Sequence, residues 1–170
     1  MEILSNEEKI SALYLCADIL DYPCDDYNLK IKDLKIDSID EFDLDYIQSE
    51  YITIFSMKAT KLKCVPYASW WLDGKMSGIS TSKIKDFYKR CGYVFDETLV
   101  EKPVDHISLM LVFVAILIEE EKFKEINEFA KFLSWLNDFS NSLDKVSDVK
   151  YFKQATDTAL QIINSIKEEI

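Results

Sequence analysis

Glycine and proline are scarce, with three of each in 170 residues. A many-stranded β protein needs far more turn residues than that, so the chain is expected to be all-α. Histidine occurs once, and the four cysteines (Cys16, Cys24, Cys64, Cys91) contain no CxxC pair. A zinc site would have to gather thiolates from three or four separate elements, so neither a metal nor a cofactor is expected. Reduced thiols of this kind suit a cytoplasmic protein. The longest apolar run, Ile107 to Ile118, is twelve residues and includes Ser108. That is too short for a bilayer, which takes roughly 20 residues. Glu2, Glu7 and Glu8 occupy the place where a secretory leader would be basic and then apolar. A soluble chain without stable membrane insertion follows. Cations are outnumbered, 20 Lys+Arg against 31 Asp+Glu, for a net charge of −11. A nucleic-acid binder needs a basic face, so no nucleic-acid partner is expected. No Gly-rich phosphate loop ending in Lys-Ser/Thr occurs.

Apolar residues, by contrast, make up 48% of the chain and aromatics 13%, enough for a buried core within one domain spanning 1–170. Ser5-Asn6-Glu7-Glu8 is a capping box, followed by a helical face at Ile10, Leu13, Ala17 and Leu20 that ends before Pro23. A short helix is expected around Leu29–Leu34. Leu44, Ile47, Tyr51 and Ile54 mark an amphipathic helix over 41–55. Residues 56–79 and 93–102 break the periodicity and read as long connections. Between them Ser80 or Thr81 can cap a helix with a face at Ile84, Phe87, Tyr88 and Cys91, closed by Gly92. The segment 103–122 is apolar on nearly every side, as a central buried helix would be. Further helices are expected over 123–136 and 152–170. The sum is a single all-α bundle of about six or seven helices around 103–122.

Two irregular breaks hold the candidate binding residues. In the first, Pro66-Tyr67-Ala68-Ser69-Trp70-Trp71-Leu72, Pro66 and Gly74 are expected to exclude a regular helix. Tyr67, Trp70 and Trp71 are therefore placed on a loop, where they can either anchor a peptide or plug the end of the bundle. In the second, Pro103 is expected in the first turn of the central helix, with Asp105 among its free amides. Asp105 beside His106 admits three readings: a helix cap with a locally bonded histidine, a partner-binding pair, or an acid/base pair. Adjacent helical residues diverge by about 100°, which argues against the last. No nucleophile elbow supports catalysis, so no catalytic residue is assigned. Tyr51 and Phe55 are read mainly as core. The charge is uneven: residues 1–50 hold fourteen acids against four lysines. Such a field can steer a cationic partner or simply keep the surface solvated.

In their order and spacing, Glu50-Tyr51-x-x-Ile54-Phe55, Pro66-Tyr67-x-Ser69-x-Trp71, Tyr88-x-x-x-Gly92 and Pro103-x-Asp105-His106 resemble the TorD/DmsD/NarJ family of redox-enzyme maturation chaperones. Phe132-Leu133-x-Trp135-Leu136-x-x-Phe139 and Tyr151-Phe152 extend the likeness over roughly residues 10–165. Val104 splits a Pro-Asp-His that the family keeps contiguous, and Ala68 stands where it has glutamate, the marks of a divergent member. The resemblance implies a cytoplasmic, non-enzymatic helical chaperone. Its partner would be the catalytic subunit of a molybdenum oxidoreductase, often bound through its twin-arginine signal peptide until the cofactor is inserted. The implied client-binding residues are Tyr67, Ser69, Trp70, Trp71, Pro103, Asp105 and His106, supported by Glu50, Tyr51, Phe55 and Pro66. Monomer, dimer and domain-swapped dimer all stay open. A helical adaptor joining folded partners without a signal-peptide client is the alternative.

Overall fold

The computed structural model describes residues 4–26, 44–55, 64–96, 102–147 and 150–168. Among them are α1 (Asn6–Ile19), α2 (Leu44–Phe55), α3 (Ala68–Asp73), α4 (Ile79–Arg90), α5 (Ile107–Glu119), α6 (Phe123–Phe129), a 3-10 turn (Ala130–Leu133), α7 (Leu136–Val146) and α8 (Lys150–Glu168). No strand occurs among the described residues, and Tyr67 and His106 form an isolated antiparallel bridge. The fold is an all-α bundle. The short helix expected at Leu29–Leu34 lies outside the described residues, as do residues 56–63 and 97–101 of the two expected connections.

The capping box starts α1 as expected: the Glu8 amide donates to Ser5 Oγ at 3.3 Å and the Ser5 amide to Glu8 Oε2 at 2.8 Å. Leu13, Cys16, Ala17 and Leu20 then turn inward, each at most 2% exposed. That face meets α5 and α8. Helix α5 is buried at Ile107, Met110, Leu111, Val114, Ala115 and Leu117, all with zero exposure. Apart from Ala115, each such side chain contributes about 1.5–3 kcal/mol by leaving water, which is why this helix centres the bundle. Glu121 ends it in the left-handed region (φ 55), where the Lys122 amide bonds back to the Leu117 carbonyl at 2.8 Å.

The structure corrects four local expectations. The central helix begins at Ile107, not at Pro103, because the His106 amide closes a turn onto the Pro103 carbonyl at 3.1 Å. Residues 123–136 are broken into α6 and a 3-10 turn before α7 begins; apolar spacings of three and four fit either kind of turn. Helix α7 itself follows the spacing of Leu136, Phe139, Leu143 and Val146. Residues 68–73 form a helix, closed by Gly74 at φ 71. Pro66 restrains only Val65, and the helix starts two residues later. Finally, α4 is capped by neither Ser80 nor Thr81. Its N-cap is Gly78, and Asp73 takes the Ser80 amide at 2.7 Å and the Ser80 hydroxyl at 2.8 Å. A side chain at Gly78 would begin 2.3 Å from Asp73 Oδ2, so any other residue there would have to displace the Asp73 side chain. Gly92 follows α4 with φ 96, the left-handed position expected of it.

Candidate functional site

Residues 64–72 and 102–108 come together as two chain segments that cap each other's helices. Helix α3 has no side-chain cap of its own. Its first amide, Ala68, donates to the Asp105 carbonyl at 3.0 Å, and its second, Ser69, donates to Asp105 Oδ2 at 2.8 Å. In return the first amide of α5, Ile107, donates to the Pro66 carbonyl at 2.9 Å. The next amide, Ser108, donates to His106 Nδ1 at 3.2 Å. Asp105 thus meets free helix amides, as its type favours, but those of α3 and not of its own helix. The Tyr88 hydroxyl pins the same segment from α4 by donating to the Val104 carbonyl at 3.1 Å.

Asp105 and His106 point to different partners, one to α3 and one to Ser108, so they do not converge on one substrate atom. Both are buried, at 0% and 2% exposure, as is Ser69 at 0%. Asp105 Oδ1 has no hydrogen-bond partner among the described residues. Burial, then the neighbouring Lys102 charge, lower the His106 imidazole to about 3, so it is neutral near pH 7. The Tyr67 ring meets the His106 ring edge-on at 5.0 Å. Its phenol is pushed up by burial and by Asp105 and Asp21.

Of the expected site residues, Tyr67, Trp70, Trp71 and Pro103 are half-buried. Trp71 is the best anchored. Its indole N–H donates to the Val65 carbonyl at 2.8 Å, and its ring stacks on Trp135 at 6.1 Å and meets Phe139 edge-on at the same distance. Phe55 continues this aromatic cluster through Phe139 and Phe152, at 6.0 and 4.9 Å, and is core. Tyr51 bridges core and site: its ring touches Phe55, and its hydroxyl donates to the Leu20 carbonyl at 3.4 Å beside Asp21. Glu50 is not gathered into the junction; its charge acts on Tyr151.

Three residues of the junction escaped the sequence reading. Asp21, after α1, holds the Lys102 ammonium, and its Oδ2 lies 3.4 Å from Ser108 Oγ. Ser108 Oγ lies 2.7 Å from His106 Nδ1. A polar chain therefore runs from His106 through Ser108 and Asp21 to Lys102. Asp21 and Lys102 are 81 positions apart, and no spacing rule joins them; the Asp21-Tyr22-Pro23 helix stop was the only local signal. Among the described residues no three His, Cys, Asp or Glu side chains gather as metal ligands would. Nor is any helix long and apolar enough to cross a membrane.

Comparison with known proteins adds a decisive observation. The sequence profile of the nitrate reductase delta subunit family matches residues 22–146, well over half of the chain. The chain belongs to that family. It is the NarJ/TorD-type family that the motifs resemble, and its members are redox-enzyme maturation chaperones with no catalysis of their own. Comparison with curated proteins by sequence gives no match. Among solved structures, a candidate redox enzyme maturation protein from Archaeoglobus fulgidus superposes with a TM-score of 0.67. It is 21% identical, over 95% of this chain and 98% of its own. At that identity the likeness concerns the fold.

Proposed function

We propose that this chaperone binds the catalytic subunit of a molybdenum oxidoreductase through its twin-arginine signal peptide, in the cytoplasm, and holds it for cofactor insertion. The family's name makes a nitrate reductase the first client to test. The observation that carries the reading is the junction itself. Half-buried Tyr67, Trp70 and Trp71 lie on one of the two cross-capped segments, next to a carboxylate, in a chain of net charge −11. A leader peptide offers the complement, a cationic end and an apolar stretch, and aromatic side chains give much binding energy for little ordering cost. Asp105, His106 and Ser69, being buried, hold the surface in shape; Tyr67, Trp70 and the edge of Trp71 are the contact residues.

The test is affinity capture of the tagged protein from its own cells with mass spectrometry of what co-purifies, alongside Tyr67→Ala and Trp70→Ala. Enrichment of one molybdenum-enzyme catalytic subunit still bearing its leader, lost in either variant at unchanged helicity, is the expected result. Enrichment only of leaderless folded proteins outside redox metabolism would overturn it in favour of an adaptor.

A further inference from the structure

We infer that Asp21 is a guanidinium-binding carboxylate and that Lys102 is its internal stand-in, occupying the place an arginine of the client takes. The inference rests on the proposed function and specifies which group receives the cationic end.

Three observations carry it. First, the site already contains a cation: the Lys102 ammonium sits on Asp21 Oδ2 and donates to Ser108 Oγ at 3.3 Å. A carboxylate and a hydroxyl aimed at one point form a polar cradle suited to N–H donors. Second, the cradle opens to solvent. The Asp21 and Lys102 side chains are 39% and 23% exposed, whereas Ser108, His106 and Asp105 behind them are buried. Lys102 lies outside any helix, so its side chain can leave without breaking one. Third, the rim is aromatic. Tyr22 is 49% exposed and meets Tyr51 edge-on at 5.6 Å, while Tyr67 is close enough for the Asp21 charge to act on its phenol.

Charge and shape then favour arginine over lysine as the displacing ligand. A guanidinium is planar, can take both carboxylate oxygens and stacks on tyrosine faces, whereas an ammonium is a compact point charge. Asp21 Oδ1 receives the Tyr22 amide at 2.8 Å, which leaves lone pairs on both oxygens for a two-point contact. His106, neutral behind Ser108, adds no opposing charge. Burial alone would raise the Asp21 carboxyl, but Lys102 and the Tyr22 amide outweigh it and keep the group ionised.

Fluorescence anisotropy with a labelled synthetic peptide, two adjacent arginines followed by an apolar stretch, tests this against twin-lysine and twin-glutamine versions. Lys102→Ala removes the competitor, so the twin-arginine peptide should bind about two- to fivefold tighter, the range an exposed ion pair allows. Asp21→Asn should abolish the preference for arginine over glutamine. Arg90→Ala, which breaks a remote ion pair with Glu128, should change neither. If the peptide binds the wild type yet Lys102→Ala is no tighter and Asp21→Asn keeps its preference, the inference is overturned and the proposed function stands. If the peptide binds no variant, the proposed function fails, and N-acetyl-arginine amide titrated by NMR decides the subsite. Shifts at the Tyr22 and Ser108 amides of Lys102→Ala that vanish on adding Asp21→Asn support it; their absence overturns it.

Discussion

Replacing Asp105 by alanine removes the one side-chain cap that α3 possesses. The Ser69 amide, in a residue with zero exposure, loses its acceptor at 2.8 Å and has no water to turn to. A hydrogen bond to a charged group contributes about 1.5–3 kcal/mol, and a buried orphan amide costs a similar amount. The Ala68 amide keeps its bond to the residue-105 carbonyl whatever the side chain, which limits the damage. The expected loss is therefore about 2–4 kcal/mol of unfolding free energy. Asp105→Asn retains an oxygen for Ser69 but must seat an NH2 group where Oδ1 has no partner among the described residues. It should lose about 1–2 kcal/mol, between wild type and alanine. Urea unfolding at pH 7, followed by far-UV circular dichroism, measures both. Native-state hydrogen exchange at Ser69 should show its protection fall more than that of Leu111 in the centre of α5. An alanine variant losing under about 1 kcal/mol, or one more stable than the asparagine variant, would refute the capping argument.

Further predictions follow from the same geometry. His106 binds protons near pH 6.5 when unfolded but only near 3 when folded. Between those values the unfolded state holds more protons, so stability is full above about pH 6.5 and is lost as the pH falls. The urea midpoint should drop from pH 7 to pH 5, and the imidazole NMR signals of this sole histidine should stay flat across that interval; an inflection near 6.5 in the folded protein would contradict the burial argument. Gly78→Ala drives a methyl into the Asp73 carboxylate that holds Ser80. It should cost about 1–2 kcal/mol in the same urea assay, the scale of a lost N-cap, and no loss would show that Asp73 can move aside freely. Burial pushes the thiols of Cys16 and Cys64 up to about 12, whereas Cys24 is exposed. A disulfide reagent should therefore modify Cys24 first and reach Cys16 and Cys64 only on unfolding, as peptide mapping would show.

The all-helical fold was legible because its signals are local. The Ser5–Glu8 capping box, the apolar face of α1 and the apolar run of α5 each lie within one helix, and each formed as read. The shortage of glycine and proline told the same story. What misled was also local: Pro66 and Gly74 bracket α3 and looked like a loop, though a proline two residues upstream leaves room for a short helix. Pro103 looked like a first-turn residue, yet the chain needs four residues from it to turn onto the Pro66 carbonyl before α5 starts. At the site, the residue types were informative and the partners were not. Asp105 was read as a helix-amide ligand, correctly in kind, but the amides belong to a helix 36 positions away. Asp21 and Lys102, whose meeting depends on α1 packing along α5, left no spacing to read.

The reciprocal caps also make the completion of α3 and of α5 depend on each other. Helix α3 has six residues, far below the roughly 12–15 that an isolated helix needs to persist in water. Among the described residues the first two amides of α3 are taken by Asp105, and the first two of α5 by Pro66 and His106. Neither end can therefore be completed until both segments are present. During synthesis, a nascent chain that has not yet released Ile107 holds Tyr67, Trp70 and Trp71 without the scaffold that orients them. On the proposed reading, the surface that would meet a client is complete only once both cross-capped segments are present.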